Sequence, residues 1–331
     1  MHFLNSLVAF AALAYAASRT TAPSGALVVG GSGKYSTIQA AVNALSRTST
    51  SAQSIFINAG TYKEQVYIQT LKGPLTIYGS TADTTSYKSN KVIITSSHAL
   101  ANSANDDATG TLRVWTTNFK MYNVNVKNTY GQAASNGQAL ALSAEAGEQG
   151  YYGCAFYGFQ DTILAETGVQ LYAKSYIEGA VDFIFGQTAQ AWFDGCDIGV
   201  LATSYGTITA SGRTSNNNGW YVINKANIQA ASGNSVPAGA YYLGRPWGDY
   251  ARVVFQNTAM SNVINAAGWH SWSSSSPQTD HVVFEEYGNT GAGASGSRAS
   301  FSKKISSPVA IASVLGSGYK TASYVDTSYL S

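Results

Sequence analysis

Two aspartates stand 21 residues apart, Asp161 in G-F-Q-D-T (residues 158–162) and Asp182 in V-D-F-I-F-G (residues 181–186). Gln160 precedes the first, and Gln138 lies 22 residues before Gln160. Asp182 is embedded among Val181, Phe183, Ile184 and Phe185. An isolated carboxylate in apolar surroundings is costly unless it is paired or neutralised. Two adjacent carboxyls do not both ionise easily, so one can keep its proton as an acid while the other stays anionic as a nucleophile. Two side-chain amides nearby supply N–H donors for an oxyanion. No serine–histidine–aspartate set competes. The four histidines, His2, His98, His270 and His281, sit in neither a metal-ligand nor a nucleophile-elbow pattern.

These groups act together only if the chain stacks them. Tyr152–Asp161 aligns with Ala173–Asp182, and both align with Asp194–Val200, at a period of 21 residues. From Ser54 onward, short runs rich in Val, Ile, Phe and Tyr alternate with Gly and Asn. A strand-rich period of this length predicts a parallel β-helix, with an ordinary β-sandwich as the alternative. Coils of such a solenoid stack at about 4.8 Å, so Asp161 and Asp182 become neighbours on one face, with Gln160 and Gln138 in the same column. Cys154 and Cys196, the two cysteines, are 42 residues apart. That is two coils, or about 9.6 Å on the same spacing, beyond the ~7 Å reach of a disulfide. Two free thiols are expected. One short cap helix is expected after Ser36 and Thr37, where Ile38, Ala41, Val42 and Leu45 share a face. The preceding G-G-S-G-K-Y-S lacks the G-K-[ST] of a phosphate-binding loop.

The 331 residues are 45% hydrophobic and only 11% charged, with a net charge of +2. No Lys/Arg cluster concentrates that charge, so nucleic acid is not an expected partner. Residues 1–17 read as a secretory signal peptide ending in Ala14-Tyr15-Ala16, followed by a single catalytic β-helix domain over 18–331. No later segment approaches the ~20 apolar residues of a membrane helix. The expectation is a secreted, extracellular protein, monomeric, with no membrane partner and no N-x-S/T glycosylation sequon.

Five segments, in order, carry a resemblance. G-T-Y-K-E at Gly60–Glu64, Q-A-L-A-L at Gln138–Leu142, the two aspartate segments, and L-G-R-P-W at Leu243–Trp247 match motifs of the pectin methylesterases, with Leu140 in place of a Val. G-R-T at Gly212–Thr214 and N-T-G-A-G at Asn289–Gly293 resemble further family segments. The match spans residue 30 to beyond residue 290. The resemblance implies an all-β, right-handed parallel β-helix that hydrolyses methyl esters of galacturonate in pectin, with no cofactor and no metal. It implies Asp182 as nucleophile, Asp161 as general acid and base, and Gln138 and Gln160 at the oxyanion. Arg245 would orient Asp182, and Trp247 would pack on a sugar ring. Thr111 and Phe185 would also touch substrate, as would one of Trp269 and Trp272, with Trp272 preferred. Glu64 and Arg213 read as structural, and Tyr62 as packing. Ala180 stands where the family often has Thr. The absence of a long N-terminal pro-region suggests a microbial, fungal-like form without autoinhibition in cis.

Three rivals differ in chemistry. A pectin lyase would be expected to show an acidic calcium cluster, yet the adjacent acidic pairs, Asp106-Asp107 and Glu285-Glu286, are expected to lie away from the Asp161/Asp182 column. A glycoside hydrolase would leave the paired glutamines without a role. A non-catalytic β-helix would bind pectin and release nothing.

Overall fold

The computed structural model describes residues 17–331; the first sixteen residues of the expected signal peptide lie outside the described residues. The chain winds as a parallel β-helix. Its strands form three sheets of 11, 8 and 7 members among the described residues, here called the first, second and third sheets. Each central coil contributes one short strand to each sheet. One such coil runs through Gln149–Tyr152, Ala155–Tyr157 and Ile163–Ala165, and the next through Val169–Ala173, Tyr176–Gly179 and Ile184–Gly186. Their pairing is parallel, with Gln149 opposite Gln170, Ala155 opposite Tyr176, and Ile163 opposite Ile184. The 21-residue period is therefore the coil length here.

The corner between the first and second sheets is a single residue in the left-handed region, repeated up the stack. Asn123, Gly153, Lys174, Gly195, Lys225, Asn257 and Gly288 all hold φ between 49° and 58°. Asn and Gly tolerate this conformation best, which explains the Gly/Asn punctuation between apolar runs.

Alternating side chains point inward. Tyr151, Tyr172 and Phe193 stack through the interior with ring centroids 4.9 and 4.5 Å apart, and all three are fully buried. Each contributes roughly 1.5–3 kcal/mol of burial. Cys154 and Cys196 are buried free thiols, separated by the Ser175 coil, whose Oγ accepts from Cys154 N at 3.1 Å. Burial pushes both thiols up to about 12, so neither is a reactive thiolate at neutral pH.

Helix α1 (Ile38–Asn43) closes the N-terminal end, burying Ile38, Ala41 and Val42. Thr37 Oγ1 accepts from Ala40 N, and the Glu64 carboxylate accepts from Ile38 N and Gln39 N at 2.8 and 2.9 Å. Glu64 is thus a helix-terminus anchor. The C-terminal segment covers the outer face of the first sheet: Val314, Leu315 and Tyr324 pack on Tyr152, Leu171, Trp192 and Val222. The outer face of the third sheet has a different cover. Leu164, Phe185 and Ala210 lie side by side on it in consecutive coils, in one cluster with Leu140 and flanked by Trp247 and Trp272.

Candidate active site

Asp161 and Asp182 occupy the corner that leads into the third sheet, at φ 62° and 50°. A bridge between Gln160 and Val181 sets their register, and Asp161 N donates to Val181 O at 3.0 Å. The two carboxylates are neighbours in adjacent coils. Aspartate adopts this left-handed backbone more readily than most residues, and such positions concentrate at functional sites.

A cavity of about 240 Å³ opens here, lined by Gln138, Gln160, Asp161, Asp182, Phe185, Ala210, Arg245, Trp247, Trp272 and Asp106. Arg245 extends the outward row from Ala210. Its Nε donates to Asp182 Oδ1 at 2.9 Å and its Nη2 to Oδ2 at 2.5 Å. This two-pronged geometry is what a planar guanidinium provides and a lysine does not. Burial pulls the Arg245 guanidinium down, but the hydrogen bonds and charge of Asp182 outweigh it and hold it above its ordinary value. Thr207 completes the clamp: its hydroxyl donates to Asp182 Oδ1 at 2.6 Å and accepts from Asp182 N at 3.0 Å.

Asp161 has no such partner. Burial pushes its carboxyl well above the usual carboxylate range, and the charges of Asp182 and Asp106 push in the same direction, with Arg245 opposing them. The two carboxyls are thereby differentiated by environment, one clamped to a cation and one isolated. Gln138 lines the cavity, and its amide oxygen is buried without a hydrogen-bond partner.

Aromatic groups wall the site. Gly212 lets Trp247 lie close, because a Cβ there would sit 2.3 Å from the indole. Trp247 meets Phe185 at 6.1 Å, and the Arg245 guanidinium lies 4.3 Å over the Trp272 ring.

Two expectations need correcting, for Thr111 and for Asp106, and one choice is resolved. Thr111 is fully buried. Its hydroxyl donates to Lys127 O and pairs with Ser96 Oγ, so it ties coils together beneath the surface and does not reach substrate. Trp269 is interior, stacked on Phe284 at 4.3 Å and donating to Glu286 Oε1, and Trp272, the preferred member of that pair, is the one at the cavity. Asp106 lines the cavity rather than lying away from the column. It opens helix α2 (Asp106–Thr109), an insertion that no period reveals. Its neighbour Asp107 turns the other way, paired with Arg113 and accepting from Trp115 Nε1. Arg213 is 3% exposed and holds a loop through Tyr250 O, Asn216 and Asn217. Sequence reasoning missed Thr207 and Asp106. G-T-I-T-A gave a strand but no sign that the first hydroxyl of it faces Asp182.

The family described as Pectinesterase matches residues 26–311. A pectinesterase of Aspergillus niger is 58% identical over 326 residues, covering 98% of this chain and 97% of that protein. One of Aspergillus aculeatus is 55% identical over 326 residues, covering 97% of each. Among solved structures, the pectin methylesterase of Aspergillus niger superposes with a TM-score of 0.87 at 44% identity, covering 95% of this chain and all of that one. The carrot pectin methylesterase gives 0.81 at 32%, covering 94% and 98%. The chain belongs to the pectinesterase family, whose activity is hydrolysis of pectin methyl esters.

Proposed function

We propose that this chain carries out pectin methyl-ester hydrolysis through an aspartyl acyl-enzyme. The observation that carries the reading is the clamp on Asp182. A carboxylate fixed by Arg245 and Thr207, and opening on a cavity, is anionic, aimed and partly desolvated, as a nucleophile must be. In the first half-reaction an Asp182 oxygen adds to the ester carbonyl. The carbonyl electron pair moves onto oxygen, where Gln138 and Gln160 amide N–H groups receive it. The tetrahedral intermediate collapses, the C–OCH₃ bond breaks, and Asp161 gives its proton to the departing methoxide. In the second half-reaction Asp161, now anionic, takes a proton from water. The water oxygen adds to the acyl carbon, and Asp182 leaves as the carboxylate. One water is consumed; one methanol, one galacturonate and one proton are formed. Trp247 and Trp272 offer flat faces for the apolar face of a pyranose, and Phe185 forms the floor.

The same reading places the protein outside the cell, as a monomer acting on homogalacturonan. The leader-like first 17 residues support secretion, and no described helix is long and apolar enough to cross a membrane. Domain bounds of 1–17 and 18–331 belong to this reading. The test is methanol release from highly methylated pectin with viscosity followed in the same tube. Methanol with viscosity retained supports the esterase. Viscosity collapse with new chain ends would mean the fold hosts backbone cleavage instead.

A further inference from the structure

Asp106 is a half-buried carboxyl that this mechanism does not use. It shares the cavity with Asp161 and Asp182, its Oδ1 is buried with no hydrogen-bond partner, and no salt bridge reaches it among the described residues. The cavity thus holds three carboxyls and one cation, Arg245, and both prongs of that cation are committed to Asp182. Ionising all three would leave two uncompensated negative charges in about 240 Å³, which is strongly unfavourable in a poorly solvated space. One proton therefore stays in the cavity. The more deeply buried carboxyl without an ion pair, Asp161, keeps it.

We infer that Asp106 is a positioning residue for the esterase reaction: its negative charge retains the proton on Asp161 that the leaving methanol needs. The inference rests on the mechanism proposed above and adds a residue to it. The charged groups facing Asp161 are Asp182, Asp106 and Arg245; Asp107 is turned away and neutralised by Arg113. Asp106 is half-buried where Asp161 is buried, so water solvates the Asp106 carboxylate better; Asp106 ionises first and then opposes ionisation of its neighbour. Without Asp106 the proton would leave Asp161 at lower pH, and the acid would be spent over part of the working range.

The experiment has two arms. The first is the pH profile of kcat/KM on methylated galacturonan oligomers, compared between the wild type and Asp106→Asn. The alkaline limb should move down by about one pH unit in the variant. The second is a ¹³C NMR titration of the Asp161 carboxyl, which needs no turnover. Its midpoint should fall by a similar amount in Asp106→Asn. In the wild type the same resonance should register a smaller inflection as Asp106 ionises below it. That wild-type reading stands even if the variant does not fold. An Asp161 resonance with no inflection from Asp106, or a midpoint unmoved in the variant, overturns the inference. So does a rise in KM with the alkaline limb unmoved, which would make Asp106 a substrate contact. Absence of methanol from the wild type would instead overturn the esterase mechanism, and the NMR arm would still decide the role of Asp106.

Discussion

Asp182 and Asp194 are both aspartates on the same solenoid, 6% and 2% exposed. Their surroundings differ in two respects. Asp194 accepts from Trp192 Nε1, Asn224 Nδ2, Ser331 N and Ser331 Oγ, all at 2.7–3.2 Å. Its four bonds come from neutral donors and close around it. Asp182 is held by Arg245 and Thr207 from one side, and its other side faces a cavity. The difference teaches that burial and hydrogen bonding alone do not mark a catalytic carboxylate. What marks it is a cation that compensates the charge together with an unfilled direction of approach.

The sharpest way to break this comparison is to neutralise each aspartate. Asp182→Asn removes the nucleophile, so methanol release should fall by about 10⁴-fold or more, with the circular dichroism spectrum retained. Turnover near the wild-type rate in that variant would put the chemistry elsewhere. Asp194→Ala should do the reverse. It strands the buried Trp192 and Asn224 donors and should cost about 2–4 kcal/mol of stability by denaturant unfolding. Its kcat should stay within about twofold of wild type, since no bond links it to the cavity. A large loss of kcat with stability intact would erase the distinction drawn here.

Asp161 sharpens the contrast through pH. Its folded carboxyl is raised by burial first and by Asp182 and Asp106 next. A raised acid binds its proton more tightly folded than unfolded. Stability from this group is therefore present at low pH and is lost as pH rises from the unfolded carboxyl range, about 4, toward the folded value. Asp161→Asn removes the loss. Its Tm should exceed that of wild type by about 2 °C or more at pH 8, and the gap should shrink toward pH 4. A gap independent of pH would mean that Asp161 is solvated in a way the cavity does not show.

Much of this was legible because the two central coils that carry the aspartates are free of insertions. Gln149, Gln170 and Ala191 follow one another at 21 residues, as do Ala155, Tyr176 and Asp197. Asp161, Asp182, Gln160 and the two-coil cysteine spacing all fall inside that window. Outside it the step changes. Leu75 pairs with Phe119, Phe119 with Gln149, and Gln190 with Trp220, because loops and helix α2 are inserted at the corners. Arg245 lies beyond the regular coils, so only the L-G-R-P-W resemblance pointed to it. Asp106 lies in an insertion and had neither signal. Trp269 and Trp272 sit three apart, where the chain does not alternate as a strand, so nothing in G-W-H-S-W said which indole turns inward.

The smallest effect tests the backbone that the catalytic and structural corners share. Lys174 holds φ 49° at the corner between the first and second sheets, and Asp182 holds 50° at the corner into the third. A non-glycine residue in this region costs about 1–2 kcal/mol. Glycine relieves that cost but loses about 0.5–1 kcal/mol through the freer unfolded chain. Lys174→Gly should therefore change Tm by no more than about 2 °C in either direction and leave methanol release unaltered. The Gly153 and Gly195 positions of the neighbouring coils already show that the corner accepts glycine. If Lys174→Gly instead lowered turnover, the left-handed corners would be coupled through the coils. Asp182 would then owe its placement to strain distributed along the solenoid rather than to Arg245 and Thr207.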